Sequence, residues 1–164
     1  MALSSDYVVI QLFASCWFVM AEIKQLDVVT HGYVFPDYYP KDAPPNNAVE
    51  AEGVFYRLVK KNPPSSHCFD DMYTENPKRM KRFKGFKLIC CYGTSLYTDE
   101  TSVLNAFDKF PEGAGNRFLA KGKLEPQDGK MLKTGAPDTT HFTVWFVKDS
   151  EVHKRFSCLR GLQK

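Results

Sequence analysis

An arginine stands in the middle of an otherwise apolar stretch, residues 54–60, which read VFYRLVK. The β-branched and aromatic residues predict a strand, and alternation places Arg57 on the same face as Phe55 and Val59. A guanidinium on such a face must be paired or must point into a cleft, because a buried, unpaired charge is costly. Since guanidinium binds phosphate and carboxylate groups through two parallel hydrogen bonds, Arg57 is a candidate ligand-binding residue. The alternatives are an internal ion pair and a partly exposed edge position.

A second candidate site lies where a predicted strand ends and a helix begins. Residues 93–99 end in Thr98 and Asp99, either of which can cap the helix that follows. Thr94 and Ser95 add hydroxyl groups beyond what capping requires, and hydroxyls beside free amides at a helix N-terminus favour anions. The segment therefore predicts an anion site, with ordinary helix capping as the alternative.

A third candidate is the strand predicted over residues 141–148, HFTVWFVK. By alternation, His141, Thr143 and Trp145 share one face, which combines a titratable ring, a hydroxyl and an indole. Such a face can stack a ring and hydrogen-bond its edge. The alternative is a sheet surface that faces solvent or is covered by a helix.

A basic run, residues 78–87 (KRMKRFKGFK), contains two phenylalanines and no acidic residue. This composition is typical of a nucleic-acid patch. A solvated loop is the alternative, and the net charge of +3 for the whole chain does not favour a dedicated nucleic-acid-binding protein. The basic residues of the run are Lys78, Arg79, Lys81, Arg82, Lys84 and Lys87.

These candidates need a scaffold, and the pattern predicts a single α+β domain with a mainly antiparallel, twisted sheet and one or two helices. Further strands are expected over residues 87–97, 118–124 and 155–159, and Asp128-Gly129 suits a hairpin turn. The chain divides into an apolar N-terminal extension (1–20), a Pro-rich arm with short strands (21–52) and an α+β core domain (53–164).

The length of 164 residues fits one domain, but the charge is unevenly distributed along it. Residues 1–77 carry 5 basic and 10 acidic side chains, whereas residues 78–164 carry 17 and 9. This asymmetry favours an acidic ligand or partner for the second half, although solvated opposite faces of one domain would produce it too.

The five cysteines do not form a disulfide framework or a zinc site. Their number is odd, Cys90 and Cys91 are adjacent, and no CxxC motif accompanies the His67-Cys68 pair. We therefore expect reduced thiols, no bound metal and a cytoplasmic protein.

Residues 7–20 form an apolar stretch that is too short for a bilayer, which takes about 20 apolar residues. The stretch therefore predicts no transmembrane span. We interpret it as a dispensable extension or a packed N-terminal segment. A secretory signal cleaved after Ala21 and a membrane-associating segment are the alternatives, although no basic residue precedes the stretch.

Four phrases of the chain, in order GVFYRLVKKNPP, CCYGTSLYTDETSVLNAFDKFP, FLAKGKLEPQDGKMLKTG and TTHFTVWFVK, resemble a group of small, mostly uncharacterised bacterial proteins. More distantly, the layout is similar to the ADP-ribosyltransferase-like fold. That resemblance implies that Tyr56 and Arg57 match an aromatic-Arg pair that grips NAD, and that Gly93-Thr94-Ser95 matches a Ser-Thr-Ser-like motif before a helix. The family's third motif, a catalytic Glu two residues after a Gln or Glu, has no counterpart here.

Two functional hypotheses follow from these observations. The first is a nucleotide- or NAD-binding protein with glycosyl- or ADP-ribosyltransferase-like activity. Its ligand-binding residues would be Tyr56, Arg57, Thr94, Ser95, His141, Thr143 and Trp145. This hypothesis requires that the three candidate sites, at Arg57, at residues 93–99 and on the strand 141–148, lie in one pocket on the same side of the sheet. The second is a non-catalytic interaction protein, such as a toxin-neutralising or phage-defence accessory component, that docks an acidic protein partner.

Overall fold

The computed structural model describes residues 32–164, which contain a seven-stranded sheet. The strands are β1 (Val49–Glu50), β2 (Gly53–Val59), β3 (Thr94–Tyr97), β4 (Arg117–Leu124), β5 (Gly129–Lys133), β6 (His141–Phe146) and β7 (Phe156–Leu162). Their order in the sheet is β1-β5-β6-β3-β2-β4-β7, and every neighbouring pair is antiparallel.

Four α-helices and three 3-10 turns connect the strands in the described part of the chain. The helices are α1 (Met72–Glu75), α2 (Pro77–Met80), α3 (Phe86–Cys90) and α4 (Glu100–Asp108). The 3-10 turns are Ser66–Phe69, Pro126–Asp128 and Val152–Arg155. The α+β class and the mainly antiparallel sheet are thus confirmed.

The pairing of β2 with its two neighbours is unequal. β2 forms seven residue pairs with β4 but a single pair with β3, Tyr56 with Tyr97. We call the boundary between β2 and β3 the seam. It divides the sheet into a four-strand half (β1-β5-β6-β3) and a three-strand half (β2-β4-β7).

One face of both halves carries the main apolar core. Phe55 and Val59 of β2, Leu96 of β3 and Val144 of β6 are buried in it. The 3-10 turns that contribute Phe69 and Val152 cover this face, and Phe69 packs edge-on against Phe146 and Phe156. The remaining core members are Ala51, Cys68, Ala120, Leu124, Phe146 and Phe156.

Helix α4 follows the predicted pattern closely. Asp99 caps it by accepting a hydrogen bond from the Ser102 amide at 2.8 Å, and Val103 and Phe107 are its buried residues. These two side chains repeat at helical spacing, so the helix buries one stripe, and it packs against β2 and β3. The predicted strands at 54–60, 118–124 and 141–148 are likewise confirmed as β2, β4 and β6.

Two local predictions are wrong. Residues 86–90 form helix α3 rather than the first part of a strand over 87–97. A short apolar run with one β-branched residue is compatible with a helix or a strand, and its contacts with the rest of the fold determine which of the two forms. Asp128-Gly129 does not close a hairpin, because β4 pairs with β2 and β7 while β5 pairs with β1 and β6. Asp128 instead closes a capping box with Glu125 and binds Arg155.

Residues 32–52 fold together with the sheet. β1 pairs with β5, the Ala51 amide donates to the Gly129 carbonyl, and the Lys148 amide donates to the Val34 carbonyl. The predictions about residues 1–20 and 21–31 lie outside the described residues. Within residues 32–164, no helix combines the length and the apolar character that a bilayer crossing requires.

Candidate functional site

Arg57 spans the seam. Its Nε donates to the carbonyl oxygen of Cys68 at 2.6 Å, and its Nη1 donates to the carbonyl oxygen of Ser95 at 2.6 Å. The guanidinium carbon lies 5.7 Å from the centre of the Phe69 ring. Because β3 has one residue pair with β2, the Ser95 carbonyl receives from a side chain what a strand neighbour would normally supply.

The charge of Arg57 is therefore held by carbonyl dipoles and not by a carboxylate. Burial lowers the pKa of the guanidinium, while Glu75 and other nearby groups act to raise it. The group stays a cation at neutral pH, since an arginine is not deprotonated in proteins. Its Nη2 makes no hydrogen bond to the residues that the structure describes, so part of its donor capacity is still open to a ligand.

Thr94 anchors the same 3-10 turn. Its hydroxyl donates to the Phe69 carbonyl at 2.6 Å, and the side chain is 3% exposed. Arg57 and Thr94 together hold two successive carbonyls of the turn, those of Cys68 and Phe69. This geometry gives Thr94 a structural task, because its single hydroxyl proton is already committed.

The strand register separates the predicted site residues into two faces. Ser95 pairs with Thr143 and Tyr97 pairs with His141, so these four side chains share a face. Tyr56 joins this face through its pairing with Tyr97, which puts Arg57 on the opposite face together with Thr94. The expectation of one common side of the sheet is wrong, because the register puts Arg57 on the face opposite His141 and Trp145.

A cleft at the seam nevertheless brings five of the predicted residues together. Its volume is about 1250 Å³, and Arg57, Thr94, Ser95, His141 and Thr143 line it. The two faces can contribute to one cleft because the backbone ladder between β2 and β3 is nearly absent.

Thr134 links two of these residues into a hydrogen-bonded group. Its hydroxyl lies 3.0 Å from Nδ1 of His141 and 2.6 Å from the hydroxyl of Thr143. The His141 ring also packs edge-on against Tyr97, with centroids 5.1 Å apart. Burial lowers the pKa of His141, so the imidazole is neutral at pH 7 and can accept or donate at Nε2.

Two predicted residues do not line the cleft. Trp145 is 0% exposed, and its indole nitrogen donates to the Ile89 carbonyl at 3.3 Å. Helix α3 covers it, which is the helix-covered alternative for this face. Tyr56 is half-buried beside Lys121, whose Nζ lies 5.4 Å from the Tyr56 ring centre.

The cleft is cationic. Among the described residues that line it, two are carboxylates, and both are engaged: Glu75 with Lys60 at 3.1 Å and Asp70 with His67 at 3.1 Å. Five cationic side chains of the lining have no carboxylate partner in the described structure. They are Arg57, Arg79, Lys87, Arg117 and Lys133.

Cys68 also lines the cleft, at the turn that Arg57 holds. Burial acts to raise the pKa of its thiol, but contacts with Ser65 and with the backbone of Lys60 and Lys61 outweigh burial and lower it. Burial raises the pKa of Cys90, another lining thiol. In residues 32–164 no group of three His, Cys, Asp or Glu side chains is arranged to hold a metal ion.

Sequence reasoning missed the contribution of β5 and of the loop that follows it. Lys133 and Thr134 line the cleft. The strand that positions them begins at Gly129, inside residues 126–130, for which the sequence predicted a turn. Arg117 and Phe110 were missed as well, although an Arg immediately before the strand predicted over 118–124 was a usable signal. Comparison of the chain with models of known protein families, with curated proteins and with solved structures finds no match.

Proposed function

We propose that the cleft binds a nucleotide-like anionic ligand, with NAD as the first candidate. The observation that carries the proposal is the set of five cations with no carboxylate partner in a single cleft. Cations that line one cleft give it a positive potential, and a phosphate-bearing ligand would neutralise that potential.

Size and shape support the same class of ligand. Pockets for drug-sized molecules measure roughly 300–1,000 Å³. At about 1250 Å³ this cleft has room for a dinucleotide. Aromatic side chains of the lining, Phe83, Phe86, Tyr97 and Phe110, offer surfaces for a base, and neutral His141 offers a hydrogen-bonding edge.

Transferase-like activity would use the same cleft. Asp70 and Glu75 are its lining carboxylates in the described residues, and either could stabilise positive charge that develops on a ribose. The resemblance to ADP-ribosyltransferases assigns neither of them a role. Nucleotide binding is therefore the primary proposal, and transfer is tested as its extension.

Thermal unfolding and calorimetry with NAD, ADP-ribose, ATP and uncharged adenosine test the proposal. We expect the phosphate-bearing ligands to raise the melting temperature and adenosine to have little effect. The double variant Arg117→Ala with Lys133→Ala should weaken binding by about tenfold or more, because each charged hydrogen bond contributes about 1.5–3 kcal/mol.

The matched control removes two exposed lysines that lie outside the cleft lining, Lys41→Ala with Lys109→Ala. This variant should bind like the wild type. No stabilisation by any phosphate-bearing ligand would contradict the proposal and favour the non-catalytic interaction protein. Release of nicotinamide from NAD would add the transferase-like activity.

A further inference from the structure

The basic run continues the cleft along the surface of the protein. Residues 78–87 cover most of α2, the turn after it and the first residues of α3. Four side chains of the run line the cleft: Arg79, Phe83, Phe86 and Lys87. The other cations of the run are exposed beside it, so the positive surface extends past the space that one nucleotide needs.

The charges of this run are not balanced within the described structure. Elsewhere in residues 32–164, five of the fifteen lysines and arginines bind a carboxylate, namely Lys60, Lys148, Lys154, Arg155 and Arg160. None of the six cations of the run forms an ion pair there, and no acidic residue interrupts residues 78–87. A solvated surface normally mixes both signs of charge, so this segregation indicates an anionic binding partner.

An exposed aromatic ring lies among these cations. Phe86 is 50% exposed at the start of α3, and Phe83 is half-buried in the cleft lining. Rings interleaved with cations are how proteins bind single-stranded nucleic acid, since bases stack on the rings while phosphates meet the cations.

We propose that the run binds single-stranded nucleic acid, with one terminal nucleotide entering the cleft. The inference rests on the proposed function for that terminal nucleotide alone. Four side chains of the run line the cleft, whereas its remaining cations, Lys78, Lys81, Arg82 and Lys84, lie outside the lining. An acidic protein would satisfy the charges, but rings interleaved with cations match stacked bases joined by phosphates more directly. The occupant that fits both features is an oligonucleotide.

The experiment measures fluorescence anisotropy of a labelled 12-nucleotide oligo(dT) and oligo(U) with the full chain, across a series of salt concentrations. For six phosphate contacts we expect log K to fall with log salt at a slope of about −4. The triple variant Lys81→Ala, Arg82→Ala, Lys84→Ala lies outside the cleft lining and should reduce the slope by about 2.

Phe86→Ala tests the stacking part of the proposal. It should weaken oligonucleotide binding by about tenfold at every salt concentration, because stacking does not depend on counterions. Leu159→Ala, which removes another exposed apolar side chain, is the control and should bind normally. The triple variant of exposed lysines Lys41→Ala, Lys109→Ala, Lys123→Ala controls for net charge.

Each outcome decides the matter. The proposal is overturned if the chain does not bind the oligonucleotides. It is also overturned, in favour of an acidic protein partner, if polyglutamate binds equally well and Phe86→Ala leaves oligonucleotide binding unchanged. Mononucleotide binding without oligonucleotide binding overturns this inference but keeps the proposed function. If the chain binds the oligonucleotides but not the mononucleotides, the result supports this inference and contradicts the proposed function.

Discussion

The two sides of β2 differ in what holds them to their neighbours. Toward β4 the backbone forms a continuous ladder of seven residue pairs, from Gly53 with Leu124 to Val59 with Phe118. Toward β3 there is one pair, and the guanidinium of Arg57 supplies further contact with Ser95. A sheet can therefore stay continuous where backbone hydrogen bonds between two strands are missing, provided that a side chain supplies the donor. The missing pairs leave room for a cleft.

The first prediction removes the side chain that bridges β2 and β3. Arg57→Leu should lower the free energy of unfolding by about 2–4 kcal/mol, because two hydrogen bonds from a charged donor are lost and their carbonyls are left unsatisfied. Urea denaturation measures the change. Hydrogen exchange should show the amides of β3 losing more protection than those of β4.

Arg160→Leu is the matched control for that variant. Arg160 binds Glu100 at an exposed position, so its loss should cost no more than about 1 kcal/mol. Equal effects of the two arginine variants would show that Arg57 does not hold the seam.

The second prediction disturbs the side of β3 that faces β6. A Cβ added at Gly93 would lie 2.4 Å from Cγ2 of Thr143 and 3.1 Å from the Val144 carbonyl oxygen. Gly93→Ala should therefore destabilise the fold by about 1–3 kcal/mol through overpacking. Calorimetric melting measures it against Gly32→Ala, whose added Cβ meets nothing within 4 Å. A neutral Gly93→Ala would mean that β3 can move away from β6, and that this side is as loose as the seam.

The third and smallest effect concerns pH. Burial lowers the pKa of His141 in the folded chain below its ordinary value of 6.5. Its neutral form is thus favoured by folding, so the associated stability is complete above the unfolded pKa and is lost as the pH falls. His141→Gln should flatten the decline of stability between pH 7 and pH 5, measured by urea denaturation at each pH. An unchanged slope would indicate that His141 is open to solvent.

Much of the fold could be predicted from the sequence because local signals agreed with tertiary packing. Residues 54–60 and 141–148 combine alternation with β-branched and aromatic residues, and Asp99 precedes a clear apolar helical stripe. Residues 86–90 have no local pattern that favours a helix over a strand, and the helix there depends on tertiary contacts that cannot be read from the sequence. β5 was hidden because its first residue, Gly129, also suits a turn.

The candidate site was harder to predict than the fold. Residue types singled out Arg57 and His141, and the structure places both in the lining of a cleft. The sequence could not show that backbone carbonyls would accept two of the five N–H donors of Arg57, because any residue supplies a carbonyl. Trp145 was placed on the right face, but that face is covered at its far end by α3.

The strand order also dictates how the chain can fold. Along the sequence the strands alternate between the halves of the sheet except at β5 and β6, which share a half, so the chain crosses the seam five times between β1 and β7. Neither half can be completed from a contiguous piece of chain, because β2 and β4 interrupt the four-strand half along the sequence and β3, β5 and β6 interrupt the three-strand half. Such non-local pairing is typical of proteins that fold in milliseconds to seconds. The same five connections join the two halves covalently, so a wider seam would not separate them.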